Sequence, residues 1–153
     1  MNLSLSRSDE ADLPWLDGAV IESVRRVCEA LGANDLTIDM IVVDDSYIQA
    51  INREFRGVDQ STNVISFSYL DDDLPHEGDD LAGEVYVSYQ TLEKEAKVMG
   101  VSPRSVFLRV GVHGLLHVLG YDHERDSDAE RMGAEERRIL SPLLAPEEME
   151  AFF

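Results

Sequence analysis

The sequence has 153 residues and a strong surplus of acidic side chains, 31 Asp and Glu against 13 Lys and Arg, which gives a formal net charge of −18. This length matches one compact domain, and we expect a single domain over residues 1–153. The charge repels polyanions on average, so any function on a polyanion must overcome that repulsion. Apolar stretches fall short of the roughly 18 residues that a membrane span needs, and the amino terminus lacks a signal-peptide pattern. We therefore expect a soluble, cytoplasmic protein without a membrane partner.

Two local features of the composition have ordinary explanations. Cys28 is the one cysteine and falls on the apolar face of a predicted helix, so we expect a small buried side chain rather than a reactive thiol. Residues 71–80 hold six acids and no base, and His76 lies among them. Their spacing fits no EF-hand loop, so we interpret this segment as a solvated loop rather than a calcium site.

Hydrophobic patterns predict alternating strands and helices in the first 60 residues. Apolar alternation and β-branched runs indicate strands, and apolar side chains three and four residues apart indicate helices. Gly32 and Gly57 follow the two predicted helices as stop signals. The elements are a strand at Leu3 and Leu5, a helix from Trp15 to Leu31, a strand from Thr37 to Val43, and a helix through Ile48, Ile51 and Phe55.

The second half of the chain begins with two short apolar runs, at 64–67 and 84–87, which we interpret as strands of one sheet. Three helices are predicted after them from apolar spacing and capping residues. They are a helix through Leu92, Ala96 and Met99 that ends at Gly100, a helix from Pro103 to Gly120 with Ser102 as its N-cap, and a helix toward Ile139 that begins with a capping box of Ser127 and Glu130.

The helix before Gly120 is apolar nearly all round, which is typical of a central, buried helix. Strands interspersed with helices, rather than in strict alternation, predict an α+β fold. We expect a small, mostly antiparallel or mixed sheet that packs on helices around this central helix. The same helix carries the residues from which we predict a metal site.

Three of the four histidines fall within 11 residues, around the end of the central helix. Four residues turn a helix only about 40° past a full circle, so His113 and His117 share one face and can bind one ion. Gly120 permits a sharp turn that can bring His123 to the same ion. Three protein ligands leave a fourth position open, as in catalytic zinc sites, although imidazole also suits nickel, copper and iron. The alternative is a set of core histidines with backbone or carboxylate partners, but the clustering of three favours a metal.

The histidine spacing matches that of the metzincin zinc peptidases, His-Glu-x-x-His-x-x-Gly-x-x-His, with one departure. Gly114 stands where those peptidases have their catalytic glutamate. A peptidase needs that carboxylate to take a proton from the zinc-bound water, so its absence argues against peptide hydrolysis by the usual route. A zinc-bound water is already acidic, with a pKa of about 7, and could act on a substrate that needs less help from a base.

The motifs of this chain resemble those of the YbeY endoribonucleases, also called ribosomal RNA maturation factors. Residues 113–123 read HGLLHVLGYDH, with the family's glycine in place of the metzincin glutamate. Residues 55–67 read FRGVDQSTNVISF, which is similar to the family's arginine-glycine turn and the strand after it. The Gly-Glu pair in Ala82–Val85 resembles the family's Gly-Asp more weakly. The resemblance covers most of the chain, from about Thr37 to Met132.

The resemblance implies a single α+β domain that binds Zn²⁺ on His113, His117 and His123 and cleaves single-stranded RNA. It further implies a role in 3′-end maturation of small-subunit ribosomal RNA and in ribosome quality control, with ribosomal or ribosome-associated proteins as partners. Arg56 matches the family's conserved arginine. The chain departs from the family pattern at Ser61 and Ser68, where proline is common, and at Glu84, where the family has aspartate.

Arg56 and Asp122 are the predicted catalytic residues besides the three histidines. Arg56 ends a predicted helix, where it could be a solvated cation, but its planar guanidinium also suits a scissile phosphate, and the resemblance favours the second interpretation. Asp122 could orient a ligating histidine, carry a proton or cap the turn. Arg104 and Arg109, on the central helix, could also approach a phosphate backbone.

Three functions remain open on the residues alone. The leading hypothesis is hydrolysis of an RNA phosphodiester, in which the metal activates water and Arg56 stabilises the transition state. The second is a zinc-stabilised ribosome assembly factor with little intrinsic cleavage, which the charge of −18 favours because a basic protein surface would attract this chain more than naked RNA would. The third, a metzincin-like hydrolase, is disfavoured by Gly114.

Overall fold

The computed structural model describes residues 1–70 and 81–153; the acidic segment 71–80 with His76, interpreted above as a solvated loop, lies outside the described residues. In the two described ranges the chain forms four strands and six helices. They are β1 (Asn2–Arg7), α1 (Gly18–Leu31), β2 (Thr37–Val43), α2 (Asp45–Arg56), β3 (Val64–Ser68), β4 (Leu81–Ser88), α3 (Tyr89–Met99), α4 (Pro103–Val118), α5 (Asp126–Leu140) and α6 (Pro146–Phe152).

The four strands form one mixed sheet in the order β1-β2-β4-β3. Strands β1, β2 and β4 run parallel to one another, and β3 lies antiparallel to β4 at the edge. Parallel neighbours need a crossover connection, which α1 supplies between β1 and β2. The predicted α+β class is confirmed, and of the two predicted sheets the mixed one is correct, since three of the four strands are parallel.

The two faces of the sheet bury different apolar side chains. Ile38, Met40 and Val42 of β2 belong to the large core that also contains α4 and α1. Val43 belongs instead to a small cluster with Ile48 of α2. Because successive side chains of a strand point to opposite faces, α4 and α2 lie on opposite sides of the sheet.

Helix α4 is the central, buried helix that the apolar pattern predicts. The side chain of Ser102 caps its start and accepts a hydrogen bond from the N–H of Ser105. Phe107, Leu115 and Leu116 expose no more than 1% of their surface. The helix is therefore a rigid support for the side chains near its C-terminal end.

The start of α1 differs from the predicted one. The helix begins at Gly18 rather than at Trp15, because the side chain of Asp17 accepts a hydrogen bond from the N–H of Val20 at 3.0 Å. Trp15 lies before this cap and packs against Phe107, with 5.3 Å between the ring centroids.

The predicted capping box at Ser127 is wrong. Helix α5 already begins at Asp126, after Arg125, so Ser127 lies within its first turn. Asp126 and Asp128 stabilise this start through the helix dipole, without a side-chain cap. The structure also contains the short helix α6, which the sequence patterns do not predict and which places Phe152 against the core.

Two expectations from composition can be compared with the described residues. Cys28 is buried, as predicted, and burial raises the pKa of its thiol. None of the helices in the two described ranges is long and apolar enough to cross a membrane.

Candidate metal centre

The position of α4 against the sheet depends on a close approach at Gly114. A β-carbon at this residue would lie 2.7 Å from Cγ1 of Val85, closer than real β-carbons pack, and 3.2 Å from Cγ2 of Val64, which is tighter than most such contacts. A side chain at position 114 would therefore point toward the sheet. A glutamate there, as in metzincins, would have to displace the helix from the sheet, so the glycine is a packing requirement of this fold.

His113 and His117 lie one helical turn apart on α4, and both are half-buried. Their Nε2 atoms face each other at 3.1 Å. Two nitrogen ligands bound about 2.0–2.1 Å from a tetrahedral ion stand about 3.3–3.4 Å apart. The pair therefore already has nearly the spacing of two ligands of one ion.

The other ring nitrogens of the two histidines are held by acceptors. Nδ1 of His117 lies 3.0 Å from the carbonyl oxygen of Tyr121, which can only accept, so this nitrogen carries the proton and donates. Nδ1 of His113 lies 2.7 Å from Oε1 of Glu136, and with an ionised carboxylate it also donates. Both Nε2 atoms then present lone pairs to each other. Such an arrangement is repulsive unless a proton or a cation lies between them, and a shared metal ion fits this donor set.

The turn after α4 places the carbonyl of Tyr121 and the third histidine. Gly120 has a φ of 101°, its N–H donates to the carbonyl of His117, and the N–H of Tyr121 donates to the carbonyl of Leu116. These two bonds form a Schellman motif, which needs glycine at this position. The chain then turns back, and the ring of His123 lies 5.2 Å from that of His117 and 5.8 Å from that of His113, measured between centroids.

The structure thus brings together the three histidines predicted as metal ligands. One potential ligand atom from each lies within 4.8 Å of the others, so the three could hold a metal ion. Burial, and next the neighbouring ring of His113, lower the pKa of His117 below its usual value of about 6.5. His117 therefore stays neutral, and able to bind a metal, at a lower pH than a free histidine does.

The three histidines line an open cleft with a volume of about 490 Å³. Arg56, at the end of α2, borders it, and within residues 1–70 and 81–153 its guanidinium makes no hydrogen bond or ion pair. Ser68 joins the cleft wall to the central helix by donating a hydrogen bond to the carbonyl of Val118 at 2.7 Å. The cleft is lined by Arg56, Asn63, Val64, Ile65, Ser66, Ser68, His113, His117 and His123.

Asp122 lies in the turn but does not line this cleft. It is exposed, and its carboxylate accepts a hydrogen bond from the N–H of Glu124 at 3.3 Å, which caps the turn. The acceptors that orient His113 and His117 are instead the carboxylate of Glu136 and the backbone carbonyl of Tyr121. A catalytic role of Asp122 stays a prediction.

Glu136 contacts the candidate site, but the sequence patterns do not predict it there. It lies on α5 among Met132, Ile139 and Leu140, which are all buried. An acidic side chain on the apolar face of a helix is the signal that could have identified it, because a buried carboxylate needs a partner. That signal does not name the partner, since His113 is 23 residues away in the chain.

The two arginines of the central helix do not border the cleft. The guanidinium of Arg109 lies over the ring of Phe152, 5.2 Å from its centroid, and Arg104 donates a hydrogen bond to the hydroxyl of Ser23 at 3.2 Å. Both pack against other helices of the domain. Arg56 is therefore the only arginine among the described residues that line the cleft.

Comparisons with a family model and with curated proteins identify the same family. The family model described as "Endoribonuclease YbeY" matches residues 8–144. Curated proteins of that name are similar over most of the chain. One from Rhodospirillum rubrum is 36% identical over 149 residues, covering 86% of this chain and 74% of the relative. One from Halorhodospira halophila is 42% identical over 123 residues, covering 79% of each chain.

The fold is also similar to a solved structure. The solution structure of a protein from Thermotoga maritima matches with a TM-score of 0.56 and 25% sequence identity. The match covers 92% of this chain and 90% of that one. The overall fold of this chain is therefore similar to one that has been solved experimentally.

Proposed function

This chain belongs to the endoribonuclease YbeY family, and from that premise we propose that it is a zinc-dependent endoribonuclease that cleaves single-stranded RNA. We propose that residues 1–153 act as one domain in the cytoplasm. The physiological substrate would be the 3′ end of small-subunit ribosomal RNA, and the enzyme would also act in ribosome quality control. The observation that carries the metal-dependent chemistry is the pair of Nε2 atoms 3.1 Å apart, with both Nδ1 atoms held by acceptors and a third histidine beside them.

Zinc suits this donor set better than a hard cation does. Neutral imidazoles bind borderline metals, whereas Mg²⁺ and Ca²⁺ prefer oxygen ligands. Three histidines would leave one coordination position for water or substrate, as catalytic zinc sites do. Bound zinc would acidify a water molecule and neutralise charge on a phosphate.

Arg56 has the position and chemistry to bind the scissile phosphate. It borders the same cleft as the histidines, and among the described residues nothing competes for its guanidinium. A guanidinium offers two parallel donors to neighbouring phosphate oxygens and stabilises the charge that develops in the transition state. Asp122 would support the reaction by holding the turn that carries His123.

The overall charge of −18 limits how the enzyme finds its substrate. One arginine at a cleft cannot offset a field of this size, so we expect weak binding of naked RNA and propose ribosomal or ribosome-associated proteins as partners that supply specificity. The alternative function, a zinc-stabilised ribosome assembly factor with little cleavage, is favoured by the same charge. A metzincin-like peptidase is not favoured, because position 114 packs against Val85 and has no room for the glutamate.

Arg56→Ala tests the proposal, with Arg56→Lys and Arg53→Ala beside it. Arg53 is an exposed arginine on the same helix that does not border the cleft, which makes it the matched control. We expect Arg56→Ala to keep its zinc and its melting temperature and to lose about 100- to 1000-fold in single-turnover cleavage of a single-stranded RNA. Arg56→Lys should recover part of the rate, because an ammonium keeps the charge without the paired donors.

The readouts are zinc content, thermal melting and cleavage with and without a chelator. Wild-type cleavage in Arg56→Ala would remove Arg56 from the mechanism. Cleavage that is absent in the wild type, or that survives the chelator, would reject the zinc-dependent nuclease, and the first of these results would favour the assembly factor.

A further inference from the structure

Glu136 is a buried carboxylate with very little compensation. Only 5% of the residue is exposed, and its neighbours Met132, Ile139 and Leu140 on α5 are apolar and buried. Its bond to Nδ1 of His113, at 2.7 Å, is the one hydrogen bond or ion pair that it makes within residues 1–70 and 81–153.

A single neutral imidazole compensates a buried carboxylate poorly. Removing an ionised carboxylate from water has an effective penalty of several kcal/mol, and the penalty is offset only by an opposite charge or by several hydrogen bonds. The compensating positive charge must therefore reach the other nitrogen of this imidazole, as a proton or as a bound cation. The far side of the same ring, at Nε2, faces the proposed metal position beside His117.

We propose that Glu136 is a positioning residue of the metal centre, which fixes the Nδ1–H tautomer of His113 and supplies the negative charge that strengthens His113 as a ligand. A carboxylate that accepts a hydrogen bond from the far nitrogen of a ligating imidazole raises the basicity of that imidazole and fixes its orientation. The inference rests on the metal site of the proposed function. It adds a residue that never touches the metal but controls how tightly the site binds it.

The three histidines differ in this support. His113 has a charged acceptor, and His117 has the neutral backbone carbonyl of Tyr121. His123 is exposed, and its ring makes no hydrogen bond within the described residues. The side chain of Glu136 is therefore the one that can be exchanged to alter the electron donation of a ligand without removing the ligand itself.

A positioning role and a merely structural role predict opposite effects on the metal-free protein. If the Glu136 side chain only packed the core, its replacement would lower the stability of the protein with and without metal alike. If the Glu136 carboxylate acts mainly on the metal ligand His113, its negative charge is uncompensated in the apo protein. Neutralising that charge then removes a destabilising group. Glu136→Gln should then leave the apo protein as stable as the wild type or more stable, while it weakens metal binding.

The test uses the full chain as wild type, Glu136→Gln, Glu136→Asp and Glu135→Gln. Glu135 is the matched control, since it lies on the same helix, pairs with Arg138 and does not touch the histidines. Each protein is stripped with a chelator. Zn²⁺ affinity is then measured at pH 8 by competition with a chromophoric chelator, the absorption spectrum of the Co²⁺ form is recorded, and melting temperatures are compared with and without Zn²⁺.

We expect Glu136→Gln to bind Zn²⁺ about 10- to 100-fold more weakly, with a changed Co²⁺ spectrum and an unreduced apo melting temperature. The Zn²⁺ affinity of Glu136→Asp should lie between those of Glu136→Gln and the wild type, because the shorter side chain keeps the charge but moves it away from Nδ1 of His113. Glu135→Gln should match the wild type. Wild-type affinity and spectrum in Glu136→Gln, or an apo melting temperature below that of the wild type, would overturn the inference. A wild-type protein that binds no Zn²⁺ would instead reject the metal centre of the proposed function.

Discussion

The last two turns of α4 and the turn that follows them both bring histidines to the cleft, but by different means. His113 and His117 project from a helix that is packed tightly on the sheet, and each ring is held at Nδ1. His123 projects from an exposed turn whose path depends on the conformation of Gly120. Two of the proposed ligands are thus preorganised by tertiary packing and the third by local backbone geometry. Substitutions in the two regions should therefore differ in how strongly they change metal affinity and the stability of the apo protein.

The largest effect should follow from removing the histidines one at a time. We expect His113→Ala, His117→Ala and His123→Ala each to lose at least about tenfold in Zn²⁺ affinity, because each removes one of three ligands. His113→Ala should also lower the melting temperature of the apo protein, since it leaves Glu136 buried without its partner. His123→Ala should not, because its ring is exposed.

The measurements are Zn²⁺ titration and thermal melting of the stripped proteins. Full affinity in His123→Ala would show that the third ligand lies elsewhere. Equal melting temperatures for His113→Ala and His123→Ala would contradict the distinction between a packed and an exposed ligand.

Gly114→Ala tests the packed region and should have the next largest effect. The added methyl group would meet Val85 at 2.7 Å, so we expect a loss of about 1–3 kcal/mol in the free energy of unfolding. Gly111→Ala on the same helix is the matched control, because there the nearest atom is the flexible end of Met40 at 3.3 Å. Denaturant unfolding measures both.

The double variant Gly114→Ala with Val85→Ala checks the cause. It should be less destabilised than the sum of the two single variants, because the smaller side chain at position 85 makes room for the methyl group. Additive losses would mean that the contact with Val85 does not set the distance between α4 and the sheet.

Gly120→Ala tests the turn and should have the smallest effect. At a φ of 101° a side chain is strained, and we expect a loss of about 1–2 kcal/mol in the free energy of unfolding. Zn²⁺ affinity should also fall, because the carbonyl that holds His117 and the path to His123 both move. Gly133→Ala, inside α5 and without a positive φ, should be neutral or stabilising. A Gly120→Ala protein with unchanged stability and affinity would show that the turn adapts.

Features that depend on near neighbours in the chain could be predicted from the sequence. The i, i+4 spacing of His113 and His117 places them on one helical face wherever the helix lies. Gly120 permits the turn to His123 through its own backbone freedom. The β-branched run Thr37–Val43 forms β2 with the predicted bounds, and the apolar pattern identifies α4 as the buried helix. Each of these signals depends only on residues that are close together in the chain.

Features that depend on distant partners were decided only by the tertiary structure. The parallel order of β1, β2 and β4 follows from how crossovers pack, which no single segment specifies. In the sequence, Gly114 indicates only that the catalytic glutamate of the metzincins is absent. The structure shows that Gly114 packs against Val85, where α4 contacts the sheet. Glu136 reads as one more acid in an acidic chain until α5 packs on α4 and brings its carboxylate to His113. The physical reason is common to all three: burial, close packing and the pairing of a buried charge are defined by what surrounds a residue, and those surroundings exist only once the chain has folded.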